Sequence, residues 1–110
     1  MDKKEIVWLG GSFNDLRNFP EAAVKASGQQ LMLLQFGGVP ADWKPMSSVG
    51  SGVKEIRIKT GGEFRILYVA NITSAIFVLH AFQKKTRKMR KSDIDLAKAR
   101  FKQLKSELRK

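Results

Sequence analysis

Three strand-like segments lie in succession between residues 53 and 82, separated by two short turns, and any fold for this chain must be built around them. Val53 to Lys59 alternates, with Ile56 and Ile58 on one face and Glu55, Arg57 and Lys59 on the other. Period-two alternation marks a half-buried strand. Gly61-Gly62 supplies a hairpin turn, Phe64 to Ala70 forms the next strand, and Asn71 to Ser74 forms the following turn. Ala75 to Phe82 is almost unbroken apolar sequence, as expected of a central strand buried on both faces. Tight turns between consecutive strands imply an antiparallel meander.

The flanking sequence reads as one strand and three helices. Ile6-Val7-Trp8-Leu9, closed by Gly10-Gly11, is a first strand. Ser12 and Asp15 have the spacing of a capping box with Ser12 as N-cap, opening a short helix through Phe19. Pro20 suits the first position of a second helix, which runs to Phe36 and stops at Gly37-Gly38. Gly28 within it costs about 1 kcal/mol relative to alanine, which close packing on the sheet would explain. Residues 37–52 read as loop, anchored to the core by Trp43. Ser92 and Asp95 repeat the capping-box spacing. After them Ile94, Ala97, Phe101, Leu104 and Leu108 fall at helical intervals of 3, 4, 3 and 4. Trp8, Phe77 and Phe101 are expected in the core. The order is β-α-α-β-β-β-α. It predicts a single α+β domain over residues 1–110, with a small antiparallel sheet, an N-terminal helical hairpin and a C-terminal helix, the helices all on one side.

Composition narrows the chemistry. The 110 residues contain no cysteine, which excludes disulfides, thiolate metal sites and a thiol nucleophile. His80 is the single histidine, so no histidine pair is available within one chain. Ala75 to Leu79 is too short to span a bilayer. No apolar secretory segment follows Met1-Asp2-Lys3-Lys4-Glu5. A cytoplasmic protein without membrane contact is expected. No phosphate-binding glycine loop, serine-hydrolase elbow or metal-ligand spacing is present.

Charge carries the functional signal. The net charge is +11. Residues 1–52 are neutral, so the whole excess lies in residues 53–110. Its densest run is Lys84-Lys85-Thr86-Arg87-Lys88-Met89-Arg90-Lys91. A one-sided positive field implies a polyanionic partner. Parity adds the chemistry. Glu55 and Arg57 share one strand face, Arg65 points away from Phe64, Ile66 and Tyr68, and His80 falls with Ile76, Val78 and Phe82. If the helices cover one face, the other presents Glu55, Arg57, Arg65 and His80 beside the basic loop. Guanidiniums can hold a phosphodiester and stabilise the charge of its transition state. An imidazole or carboxylate can move a proton.

The segments Gly52-Val53-Lys54-Glu55-Ile56-Arg57-Ile58, Gly62-Glu63-Phe64-Arg65-Ile66-Leu67-Tyr68-Val69 and Ile76-Phe77-Val78-Leu79-His80-Ala81-Phe82-Gln83-Lys84-Lys85-Thr86 resemble the phage-derived HigB-type branch of the RelE/ParE toxin superfamily. So do Asp15-Leu16-Arg17-Asn18-Phe19-Pro20 and Asp42-Trp43-Lys44-Pro45-Met46. The resemblance implies the toxin of a type II toxin–antitoxin module. Such a toxin enters the ribosome and cuts messenger RNA by attack of a ribose 2′-OH on the adjacent phosphate, without a metal or other cofactor. A cognate antitoxin, often a helix-turn-helix DNA-binding protein, blocks it. On this resemblance Arg65 holds the phosphate, Arg57 assists, and His80 or Glu55 is the base. Lys54, Lys84, Lys85, Arg87, Lys88, Arg90 and Lys91 contact nucleic-acid backbone. The chain departs from several ribosome-dependent relatives in having no tyrosine or histidine near its C-terminus. A gyrase-poisoning toxin of the ParE kind and a non-catalytic nucleic-acid-binding homologue are the alternative readings.

Overall fold

A computed structural model of the chain describes residues 3–109. Its elements are β1 (Ile6–Trp8), α1 (Ser12–Arg17), α2 (Glu21–Gln35), β2 (Trp43–Pro45), β3 (Val53–Lys59), β4 (Glu63–Val69), β5 (Ile76–Gln83) and α3 (Lys91–Leu108). The three expected strands form the centre of a five-stranded, mostly antiparallel sheet of order β1-β5-β4-β3-β2. β3, β4 and β5 pair antiparallel, while β1 lies parallel to β5, with Ile6 opposite Ile76. Gly61 and Gly62 both take positive φ in the β3–β4 turn, a backbone region open to glycine. β2 was not expected. Residues 43–45 pair with Lys54 to Ile56 as a short edge strand within the segment read as loop.

The sheet is covered on both faces, which corrects the expectation of helices on one side. Leu16, Phe19, Ala23 and Leu31 of the N-terminal helical region pack on Ile56, Ile58, Phe64, Ile66, Tyr68, Ile76 and Val78. Ala97, Phe101 and Leu104 of α3 pack on the opposite face, against Val53, Leu67, Val69, Phe77, Leu79 and Phe82. The apolar stripe of α3 therefore covers a sheet face that parity had assigned to open solvent. β5 can be apolar on both faces because it has helices on both.

A register shift decides the orientation of the end of β5. Tyr68 pairs with Val78, but Leu67 pairs with His80, so Leu79 is an extra residue in its strand. Such a bulge inverts the alternation beyond it. Phe82 thus joins Phe77 and Leu79 in one core, and Ala81 joins Ile76 and Val78 in the other. The expected grouping of His80 and Phe82 with Ile76 and Val78 fails at this point.

Both expected capping boxes are also corrected. The N-cap of α1 is Gly11, and the buried Ser12 Oγ donates instead to the Val78 carbonyl at 3.2 Å. The N-cap of α3 is Arg90, with no side-chain cap bond. Trp43 is 37% exposed on β2 and so does not anchor the loop in the core; the Lys54 ammonium lies 4.8 Å from its ring centre. Gly28 is exposed with open space around it, so it permits no close helix–sheet approach. Trp8 is half-buried, packing on the core and edge-on to Phe13. Among the described residues, no helix is long and apolar enough to cross a membrane.

Candidate nucleic-acid interface

The cross-strand pair Arg57–Arg65 lies on the sheet face shared with α3, where β3 and β4 extend beyond the helix. Two guanidiniums directly opposite each other repel, and Glu55, two residues from Arg57 on β3, offsets that repulsion. Arg57 Nε donates to Glu55 Oε1 at 3.0 Å, and Arg65 Nε lies 3.4 Å from the same oxygen. Glu55 and Arg65 are almost fully buried, at 2% and 4% exposure, whereas the Arg57 side chain is 30% exposed. Arg65 is held further by its own strand. Its Nη1 donates to the Phe64 carbonyl at 3.1 Å and its Nη2 to Glu63 Oε1 at 3.2 Å. Hydrogen bonding and charge from Arg65 lower the Glu63 carboxyl below its ordinary range.

A cleft of about 260 Å³ opens over this trio, lined by Glu55, Arg57 and Arg65 with Lys44, Lys84, Arg87, Lys88, Met46 and Met89. Six of these side chains are cationic and one is anionic, so the cleft attracts anions. Its volume is below that of pockets which enclose whole drug-sized ligands. It suits a phosphodiester group more than an entire nucleotide. The basic loop reaches the cleft because it folds back on itself. Lys84 N–H donates to the Glu63 carbonyl at 2.7 Å, prolonging the β4–β5 ladder, and Lys84 Nζ donates to the Arg87 carbonyl at 2.8 Å. Lys44 arrives from the other side, placed by its pairing with Glu55.

The expected site residues thus divide. Glu55, Arg57, Arg65, Lys84, Arg87 and Lys88 converge on the cleft. Lys85, Arg90 and Lys91 are exposed but do not line it. Lys54 lies on the opposite sheet face, beside Trp43 and Tyr68. His80 is elsewhere too. It sits on β5 past the end of β1, buried between α1 and α3. Its Nε2 lies 2.8 Å from Asp93 Oδ1, and its Nδ1 has no hydrogen-bond partner and lies 3.9 Å from Asp15 Oδ2. The Phe82 ring, whose residue pairs with Arg65, stacks on the imidazole with centres 4.9 Å apart. His80 lines a separate hollow of about 500 Å³ with Asp15, Asn18, Gln83 and Arg100.

Sequence reasoning missed Lys44, because its segment carried no strand signal and its position depends on the remote pairing with β3. It also missed the Glu63–Arg65 contact, although the i, i+2 spacing along one strand face made that legible. Among the described residues, no three acidic or histidine side chains converge as a metal-binding group.

A family model described as "Phage derived protein Gp49-like (DUF891)" matches residues 14–102, a span that includes every residue lining the cleft. No curated protein matches the chain.

Proposed function

The chain belongs to the Gp49-like family of phage-derived proteins, which is related to toxin–antitoxin modules, and we propose that it is the toxin of such a module and cleaves messenger RNA on the ribosome. The observation that carries this reading is the cationic cleft built on a buried Glu55 shared by Arg57 and Arg65. A phosphodiester entering the cleft meets Arg57 at its exposed edge and the Nη2 of Arg65, which it takes over from Glu63. The ribose 2′-oxygen attacks phosphorus, and its proton passes to Glu55, at Oε2, the oxygen that neither arginine holds. The two guanidiniums stabilise the negative charge that grows on the phosphoryl oxygens. The bond from phosphorus to the 5′-oxygen breaks, leaving a 2′,3′-cyclic phosphate, and Lys84 gives the departing oxygen a proton. Glu55 takes the role of base in preference to His80, whose imidazole is committed to Asp93 outside the cleft. A cognate antitoxin that covers the cleft would silence it.

The test is mapping of messenger RNA 5′ ends after brief induction of the wild type or of Arg65→Ala, with circular dichroism to verify that the variant folds. New ends on translated messages with the wild type alone are the expected result. Growth arrest without new ends overturns the nuclease reading and directs attention to a target such as gyrase.

A further inference from the structure

We infer that the outer face of α3 is a second RNA-binding surface, separate from the cleft, on which Lys98, Lys102, Lys105 and Arg109 hold the backbone of an RNA duplex. At 100° per residue these four side chains and Lys91 fall within an arc of about 60°, along about 27 Å of helix axis. All five are exposed. Among the described residues none of them is in an ion pair. The carboxylates of α3 do not neutralise the row. Asp93 is turned onto His80, Glu107 accepts from Gln103, and Asp95 flanks the row between Lys91 and Lys98 without pairing to either. Like charges three and four residues apart on a helix repel, and among the described residues no carboxylate pairs with Lys98, Lys102, Lys105 or Arg109 to relieve them. Lys102, Lys105 and Arg109, with Ser106, line a shallow groove of about 440 Å³. The surface is therefore both cationic and slightly concave.

The chemistry of the face selects the partner. The apolar stripe of α3 is occupied by the core through Ala97, Phe101 and Leu104, and the exposed Leu96 and Leu108 lie more than three turns apart, so the helix has no continuous apolar face to insert into a bilayer. The one ring beside the cationic row, Phe101, whose centre lies 4.9 Å from Lys105 Nζ, is buried in the core, which leaves nothing exposed to stack on unpaired bases. A straight row of cations at steps of about 4.5 to 6 Å along the axis fits the regularly repeated charge of a duplex backbone, read by shape and not by sequence. Commitment to RNA over DNA rests on the ribosomal reading above; the cationic row itself does not.

The proposal is tested by fluorescence anisotropy with a 16-base-pair RNA duplex over a range of salt concentrations. Four full-length proteins are compared: wild type, K98Q/K102Q/K105Q/R109Q, the charge-matched control K3Q/K4Q/R17Q/K25Q, and Arg65→Ala. All eight glutamine positions are exposed, and urea midpoints verify that folding is retained. The α3 variant is expected to bind at least about 10-fold more weakly than wild type near 0.1 M salt. Its dependence of log K on log salt should flatten by about 3 to 4, since each phosphate contact contributes roughly 0.9. The control should stay within about 3-fold of wild type, because the specific row and not net charge holds the duplex. The α3 substitutions should weaken duplex binding whether or not Arg65→Ala abolishes cleavage, so failure of the cleavage reading leaves this result standing. Equal weakening of the α3 and control variants, or of neither, overturns the assignment of this face. Equal or tighter binding to a DNA duplex of the same length overturns the assignment to RNA.

Discussion

Glu55 Oε1 is the common partner of Arg57 and Arg65, at 3.0 and 3.4 Å, so one buried carboxylate holds together two guanidiniums from neighbouring strands. Removing one member of such a buried group leaves uncompensated charge, which costs about 3–5 kcal/mol. Glu55→Ala is therefore expected to lower stability by that amount in urea denaturation. Glu55→Gln keeps an acceptor oxygen and should cost distinctly less, while abolishing proton transfer. A Glu55→Ala loss below about 1 kcal/mol, the range of an exposed ion pair, would show that the group does not support the fold.

His80 is expected to matter to the fold and not to the cleft. Its hydrogen bond to Asp93 ties β5 to the first turn of α3. Loss of a buried hydrogen bond costs about 1–3 kcal/mol. His80→Gln should shift the urea midpoint accordingly and leave binding of a short single-stranded RNA unchanged. A variant with wild-type stability and lost RNA binding would return His80 to the functional site.

Gly28 offers a stabilising change. It lies inside α2 with nothing within 4 Å of where a Cβ would stand. Alanine there should raise stability by up to about 1 kcal/mol through helix propensity alone. Thermal unfolding measures it, and a destabilised Gly28→Ala protein would mean that this stretch of α2 is not packed as described.

Tyr68 sets an alkaline limit on stability. Burial pushes its phenol up to about 12 from an ordinary value of 10. Between those values the unfolded chain has released the proton and the folded chain retains it. Folded protein then binds more protons, so stability falls as pH rises from 10 to 12, by about 3 kcal/mol when complete. Tyr68 is the only tyrosine, so absorbance near 295 nm follows it directly. The wild type should lose stability relative to Tyr68→Phe by about 3 kcal/mol across this window. A difference independent of pH would contradict the burial of the hydroxyl.

Much of this fold and part of its site were legible in local sequence. Alternation located β3 with its observed ends, and placed Glu55 and Arg57 on one face; the same parity put Arg65 on the side of its strand opposite Phe64, Ile66 and Tyr68. The spacing of Ile94, Ala97, Phe101, Leu104 and Leu108 identified α3. These signals are local because side-chain direction follows from the period of an uninterrupted strand or helix. Tertiary structure decided the rest. The extra residue at Leu79 inverted parity at the end of β5, and Phe82 moved to the face of α3. β2 exists only because Lys44 and its neighbours find β3, and the side of the sheet that α3 covers depends on chain connection and packing. Ser12 carries a capping pattern, yet its Oγ bonds to the remote Val78 carbonyl; Ser92 carries one too, yet the helix begins one residue earlier, at Lys91, with Arg90 as its N-cap. The sequence by itself thus determined which side chains could share a strand face and where the positive charge resides. Only long-range pairing and packing decided which part of the sheet the helices left uncovered, and so brought Glu55, Arg57 and Arg65 to the cleft while carrying His80 away from it.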